Sequence, residues 1–260
     1  MNNNIKFERL TKNQEKLIVS LSRRKKRKEH GLCVCEGLRA CTELYRLNPS
    51  IILYAVISEE YNFTDLVFFS DIKFYTLPEI GFKRLTSTVN SQGILFITGI
   101  PDFEEPISEE LPFVLILDRI ADPGNFGTIM RTALSVGLKE LWYSAGTVDP
   151  FSEKTIRSAL GAQFKLKLNE YDNLHELLPI LESKGYSKIF RTDVSAGDDC
   201  FETEGLFDKS VIIFGNEANG VENIEGSVPL HIPMPGGFES LNVAQAVTVI
   251  LFDAVRRKVL

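Results

Sequence analysis

Apolar residues recur at Val243, Ala246, Val247, Ile250, Leu251, Ala254 and Val255, the spacing of one helix face. An apolar, proline-bearing strand end (Pro229 to Met234) and the pair Gly236-Gly237 precede them, and Ser240 opens the helix. Strand, glycine loop and polar helix start form a common ligand cradle, because the free N–H groups of a first helical turn point into the loop. Taken alone, the stretch serves equally well as an ordinary strand–turn–helix corner.

Upstream, the pattern predicts a short helix over 11–22, a strand at Leu32 to Cys35 and a helix from Glu36-Gly37 to about Leu47. Strands follow at 51–57, 72–77 and 94–100, which together make a small α/β domain over residues 1–100. Residues 101–112 hold three prolines and a run of acids with little apolar pattern, as expected of an exposed linker. The alternation then restarts over 113–260. Strands are expected at 113–117, 140–143, 189–190 and 211–214, and helices at 125–136, 152–160 and 174–184. This is a parallel-sheet α/β domain, in which ligands sit in the loops at the carboxyl ends of strands.

Composition narrows the class. The chain has 260 residues, 44% hydrophobic and 25% charged, as in soluble globular proteins. No apolar run is long enough to span a bilayer, and the polar, basic N-terminus is not a secretion signal. Cys33, Cys35, Cys41 and Cys200 contain no CxxC pair, so reduced thiols in a cytoplasmic protein are expected and a metal site is not. The net charge of -6 hides an asymmetry: residues 1–30 hold ten Lys or Arg and three Glu, a local +7, which leaves -13 for the rest. Arg23, Arg24, Lys25, Lys26, Arg27 and Lys28 form the densest cluster and are candidate contacts for a phosphate backbone, against a solvated loop as the plain alternative.

Three strand-end loops of the second domain carry candidate chemistry. Asp122-Pro123-Gly124-Asn125 leads into a helix that places Asn125 and Arg131 within reach of one pocket. Gly215-Asn216-Glu217-Ala218-Asn219-Gly220 follows the strand at 211–214, and the stretch from Ile232 to Val243 is the third. Neither a P-loop nor a dinucleotide fingerprint is present, which disfavours a Rossmann dehydrogenase. His30, His175 and His231 fall outside these loops, so a Ser–His–Asp hydrolase or His-ligated metal enzyme is not expected.

The ordered set Asp122 to Gly127 with Arg131-Thr132-Ala133, then Phe214 to Gly220, then Ile232-Pro233-Met234 with Ser240 to Val243, resembles the three motifs of the SpoU (TrmH-type) RNA 2'-O-ribose methyltransferases of the SPOUT superfamily. Lys154, Arg157, Ser158, Gly161 and Ala162 resemble the family's intermediate segment. Glu36-Gly37 and Asn90 to Ile94 are similar to its accessory substrate-binding domain, with Ser91 where proline is usual.

The resemblance implies a deep trefoil knot in the C-terminal domain, an exception to the rule that chains are unknotted. It implies S-adenosyl-L-methionine as methyl donor, with Gly215, Asn216, Ile232, Met234, Gly236 and Leu241 at the cofactor positions. It also implies a homodimer. Arg131, Asn125, Glu217, Ser240 and Asn242 match the catalytic set. A guanidinium rarely gives up a proton, so Arg131 is expected to hold an RNA phosphate and stabilise the developing alkoxide, with Asn125 and Glu217 orienting it. The added N-terminal domain with its basic lead favours ribosomal over transfer RNA. A non-catalytic RNA-binding relative of the same fold is the remaining alternative.

Overall fold

The computed structural model describes residues 7–62, 66, 68–69, 71–103, 111–194, 197–216, 220–237 and 240–260. The chain divides into two compact units. The first contains the described residues of 1–102 together with Asp149–Lys165, and the second contains those of Phe103–Val148 and Leu166–Leu260.

The first unit is built on a mixed sheet of β1 (Phe7–Arg9), β2 (Leu32–Glu36), β3 (Ile52–Ser58), β4 (Phe74–Leu77) and β5 (Ile94–Gly99), in the order β1-β4-β3-β5-β2. Strands β1, β4 and β3 run parallel, and β5 is antiparallel to both β3 and β2. Period-2 alternation divides β2, β3 and β5 between two cores. Cys33, Cys35, Ala55, Ile57, Ile94 and Phe96 face one core, while Val34, Val56, Leu95 and Ile97 face the other. The helices are α1 (Lys12–Ser20), α2 (Arg24–His30), α3 (Leu38–Leu47) and α4 (Glu79–Phe82). Thr11 opens α1 with a capping box to Gln14.

The basic run forms the helix α2, closed by Gly31 at φ 63°. Lys and Arg are good helix formers, and one of them supplies a buried anchor. Arg27 is 4% exposed. Its guanidinium pairs with Asp149, with Nε 3.2 Å from Oδ2, and its Nη1 donates to the Leu21 carbonyl at 2.6 Å.

Residues 149–165 lie within the stretch 113–260 by sequence pattern, yet they pack in the first unit. Here Ser152 caps the helix expected at 152–160, which spans Glu153–Ala159, and Ile156 and Phe164 enter the cysteine-lined core. Burying each contributes on the order of 1.5–3 kcal/mol. Arg157 Nη1 reaches the buried Glu36 carboxylate at 3.3 Å, and Thr88 donates to the same oxygen at 2.8 Å.

The second unit holds seven parallel strands. They are β6 (Phe113–Leu117), β7 (Glu140–Ser144), β8 (Lys167–Tyr171), β9 (Lys188–Thr192), β10 (Asp198–Asp199), β11 (Ser210–Phe214) and β12 (Val228–His231), in the order β10-β12-β9-β11-β6-β7-β8. The fully buried runs of β6 and β11 mark the centre, as expected for a parallel sheet covered on both faces. In chain order the remaining helices are α5 (Pro123–Ser135), α6 (Glu153–Ala159, in the first unit), α7 (Leu174–Ser183) and α8 (Val243–Arg256). Strands β8 and β10 lack a strong apolar run and extend the predicted sheet, while β12 is the strand end expected at Pro229 to Met234.

Two helix starts differ from the sequence pattern. Asp122 caps α5 by accepting the Asn125 amide at 2.8 Å, with Pro123 at the first helical position. Asn242, rather than Ser240, caps α8: its Oδ1 accepts the Ala244 amide at 2.9 Å. Ser240 remains in the loop. Arg257 fixes the far end of α8, donating to the carbonyls of Cys200 at 2.9 Å and Phe201 at 2.7 Å.

Candidate functional site

The ends of β9, β11 and β12 are neighbours in the sheet, so the segments leaving them converge. They line a cavity of about 520 Å³ with the start of α8. That volume lies within the usual range of a small-molecule site. Gly215 and Asn216 come from the β11 loop, Ile232 and Met234 follow β12, and Ser240, Leu241 and Asn242 precede α8. Seven of the residues singled out by motif therefore share one wall.

The shape of that wall depends on Gly215. A Cβ there would stand 2.6 Å from the Val221 amide nitrogen and closer still to the Gly220 carbonyl. The loop closes on itself through the Gly220 amide, which donates to the Asn216 carbonyl at 2.7 Å. Only glycine allows the two backbone segments to approach this closely. On the opposite side, Gly237 at φ 70° donates to the Met234 carbonyl and turns the chain after β12.

Asn242 joins two loops. With its Oδ1 engaged by the Ala244 amide, its Nδ2 is left to donate to Asn125 Oδ1 at 2.9 Å. Because Asp122 already caps α5, the Asn125 side chain is available for that bond. One amide side chain thus caps α8 and ties the cavity to the helix that carries Arg131.

Other expected residues stand elsewhere. Arg131 is exposed on α5 and does not line the cavity; among the described residues its guanidinium has no ion pair. Gly236 is exposed, and a Cβ on it would meet nothing within 4 Å. Glu217 lies outside the described residues. Of the basic cluster, Arg23, Lys25 and Lys28 are exposed, Arg24 is half-buried, and Lys26 pairs with Glu29 at 2.8 Å. Arg27 requires a correction: buried against Asp149, it anchors α2 and offers no donor to a nucleic acid.

The sequence reading missed the contribution of β9 and the histidine beside it. Thr192, Asp193 and Val194 line the cavity, and Arg191 Nη1 pairs with Asp193 Oδ2 at 2.8 Å. The signal was the strand at 189–190, whose carboxyl end follows the same rule as the other three loops. His231 also lines the cavity, which corrects its placement outside the site. Its Nδ1 donates to the Gly197 carbonyl at 2.9 Å, which in the neutral ring leaves Nε2 as an acceptor.

A second polar group lies at the ends of β6, β7 and β8. The buried Asp118 carboxylate accepts from Arg119 Nε at 2.9 Å and Nη2 at 2.8 Å, and from the Tyr171 hydroxyl at 3.4 Å. Burial, followed by the Asp118 charge, pushes the Tyr171 hydroxyl above its ordinary range, so it stays a donor. Arg119 adopts φ 57°, a left-handed conformation that costs a side-chain-bearing residue about 1–2 kcal/mol. Its amide donates to Ser144 Oγ at 2.7 Å, and its carbonyl accepts from Asn216 Nδ2 at 3.0 Å. The strained residue therefore braces a cavity-lining side chain.

Residues 112–252 match the family model described as SpoU rRNA Methylase family, and residues 12–95 match the MRM3-like substrate binding domain. The chain is 30% identical over 236 residues to the 23S rRNA (guanosine(2553)-2'-O)-methyltransferase of Bacillus subtilis, covering 89% of this chain and 92% of that protein. It is 33% identical over 179 residues to a tRNA/rRNA methyltransferase of Synechocystis, covering 67% of this chain and 64% of the relative's length. An AdoMet-bound rRNA methyltransferase from Sinorhizobium meliloti superposes with a TM-score of 0.78 at 26% identity, covering 97% of this chain and 98% of that one.

Proposed function

The chain belongs to the SpoU rRNA methylase family, and on that premise we propose that it methylates a ribose 2'-hydroxyl of ribosomal RNA with S-adenosyl-L-methionine as donor. The observation that carries the reading is the convergence of the second and third motif loops on one cavity closed by Gly215, with the first tied to it by the Asn242–Asn125 hydrogen bond. The cavity fits a nucleoside-bearing ligand with polar ends: Ile232, Met234 and Leu241 supply apolar wall for a flat ring, and the loop backbones with Asn216 and Asn242 supply donors and acceptors. When bound there, the donor supplies an electrophilic methyl group on a sulfonium.

The rest is the work of this chain's residues. A 2'-hydroxyl is a poor nucleophile and must be aligned and relieved of its proton. Arg131, exposed and without an ion pair among the described residues, is assigned to an RNA phosphate and to the alkoxide that develops as the proton leaves. Asn125, held by Asn242, orients the ribose at the start of the same helix. Ser240 lies in the loop beside Asn242 and contacts substrate, and Glu217 is assigned to steadying Arg131. Arg23, Arg24, Lys25 and Lys28 are assigned to the RNA backbone. In Arg131→Ala, methyl transfer to ribosomal RNA should be lost while calorimetry still shows donor binding; near-normal transfer refutes the assignment. Mass-spectrometric mapping of 2'-O-methylation in total RNA, with and without the gene, identifies the nucleotide.

We further infer a homodimer, supported by the exposed Phe252 and Val255 on α8. Sedimentation of Phe252→Glu tests it, since a wild-type-like mass refutes use of that face. The chain is assigned to the cytoplasm, where its four buried, unpaired cysteines stay reduced; cell fractionation tests this. Residues 1–100 are assigned to RNA binding, 101–112 to a linker and 113–260 to methyl transfer. A trefoil knot is assigned to the loops around the cavity, to be checked by an experimental chain trace through 215–242.

A further inference from the structure

We propose that Arg119 is a substrate-positioning residue, a pre-set guanidinium that binds a phosphate of the RNA beside the cofactor cavity. The inference rests on the RNA methyltransferase reading given above. Glycine at position 119 would adopt the same left-handed backbone without conflict between a Cβ and the neighbouring carbonyl. It would also keep both backbone bonds, to Ser144 Oγ and from Asn216 Nδ2. What only arginine adds is its side chain, retained in spite of the strain.

The surroundings make room for that side chain. Gly146 has no left-handed φ, so its backbone does not demand glycine. A Cβ there would stand 3.1 Å from Arg119 Cγ, so the missing side chain gives space to the arginine stem. Asp118 holds Nε and Nη2 on one carboxylate oxygen, and the side chain is still 45% exposed. The pair is half-exposed at the arginine and buried at Asp118, so one face of the guanidinium neutralises the carboxylate while the other meets solvent. The arrangement fixes the direction of a fork that has donors only, and Nη1 makes no hydrogen bond among the described residues.

The anion follows from position. Arg119 ends β6, next to β11 in the sheet, and its carbonyl holds Asn216 of the cavity wall. An RNA strand that presents a ribose to that cavity carries its phosphates along the carboxyl edge of the same sheet. A phosphate oxygen matches the guanidinium in charge and geometry, and contact with the backbone positions the strand without reading its sequence.

The test compares the full-length wild type with Arg119→Gly and Arg119→Lys, using fluorescence anisotropy of labelled oligouridylate and oligoadenylate from about 50 to 200 mM salt. Arg119→Gly leaves the buried Asp118 without its cation and should melt below the wild type, while binding S-adenosyl-L-methionine normally. It should bind both oligonucleotides several-fold more weakly, with the slope of log affinity against log salt reduced by about 0.7. Arg119→Lys keeps the charge but loses the fork, and should fall between the two. Equal affinity and slope for Arg119→Gly overturn the inference, as does weakened donor binding, which would make the residue merely structural. A loss confined to one oligonucleotide also overturns it, in favour of base contact. If the wild type binds neither, the RNA reading fails and this inference with it; if the wild type binds and Arg119→Gly matches it, only this inference fails.

Discussion

Replacing Gly215 with alanine adds one carbon where the fold leaves no room. The new Cβ would lie 2.6 Å from the Val221 amide nitrogen and nearer to the Gly220 carbonyl, whereas real Cβ atoms essentially never come within 3.0 Å of such atoms. Both neighbours are backbone, so no rotamer change relieves the clash. Gly220 and Val221 must move away from Gly215 by about 1 Å, a misplacement of the size that costs roughly 100-fold when it separates reacting groups. The overpacking itself should cost about 1–3 kcal/mol, a fall in melting temperature of roughly 3–9 °C for a chain of this size. Isothermal titration with S-adenosyl-L-methionine, paired with a thermal melt, checks both effects. Gly236→Ala is the matched control, because a Cβ there meets nothing within 4 Å. If Gly215→Ala binds the donor as tightly as Gly236→Ala does, the cavity is not the donor site and the reasoning fails.

Asn242→Asp should keep the α8 cap but lose the donor to Asn125, so thermal stability stays near wild type while methyl transfer drops; Asn242→Ala should lose about 1 kcal/mol as well. Equal activity of Asn242→Asp and wild type would remove the link between the two loops from the mechanism. Asp149→Ala leaves Arg27 buried without its partner and should destabilise the first unit by about 3–5 kcal/mol, seen as an early transition in chemical denaturation. Alkaline pH should also weaken the fold. Burial pushes the Cys200 thiol up to about 12 and raises Cys33 and Cys41 as well, so above pH 9 the unfolded chain loses protons that the native state retains. Each thiol then removes up to about 1.4 kcal/mol per pH unit as pH rises from 9 towards the folded value. A denaturation midpoint that is flat from pH 8.5 to about 11 would contradict this.

The second domain was legible because its central strands, β6 and β11, are continuous apolar runs followed by glycine loops. The first domain was legible from short apolar strands alternating with helical or loop segments, apart from β1, α2 and the segment 149–165. The edge of the larger sheet was half legible: β12 showed as a proline-bearing strand end and pairs with β9, while Asp198-Asp199 carries little β signature and owes its pairing to β12. The three motif loops could be read from residue order. Their fourth neighbour, Thr192 to Val194, has no unusual residues, and only sheet order brings it to the cavity. Arg27 was misjudged for a related reason: six adjacent basic residues look alike as a string, and helical rotation alone selects which of them turns inward. Arg119 gave no signal, because a left-handed φ at an arginine is invisible until the backbone is seen.

The return of residues 149–165 to the first unit has a consequence for how the molecule is made. A ribosome emits the chain at about 5–20 residues per second, and the amino-terminal core stays incomplete until Ile156 and Phe164 have emerged. By then β6, α5 and β7 of the other unit are already outside. Neither unit can be finished by vectorial synthesis before the other has begun, and a single cut at residue 102 yields no intact module. An expressed fragment ending there would lack the partner for Arg27 and the ion pair for Glu36. The two units are separate as packed bodies but interleaved as a polymer, so a graft of the amino-terminal unit onto another enzyme must carry the distant segment with it.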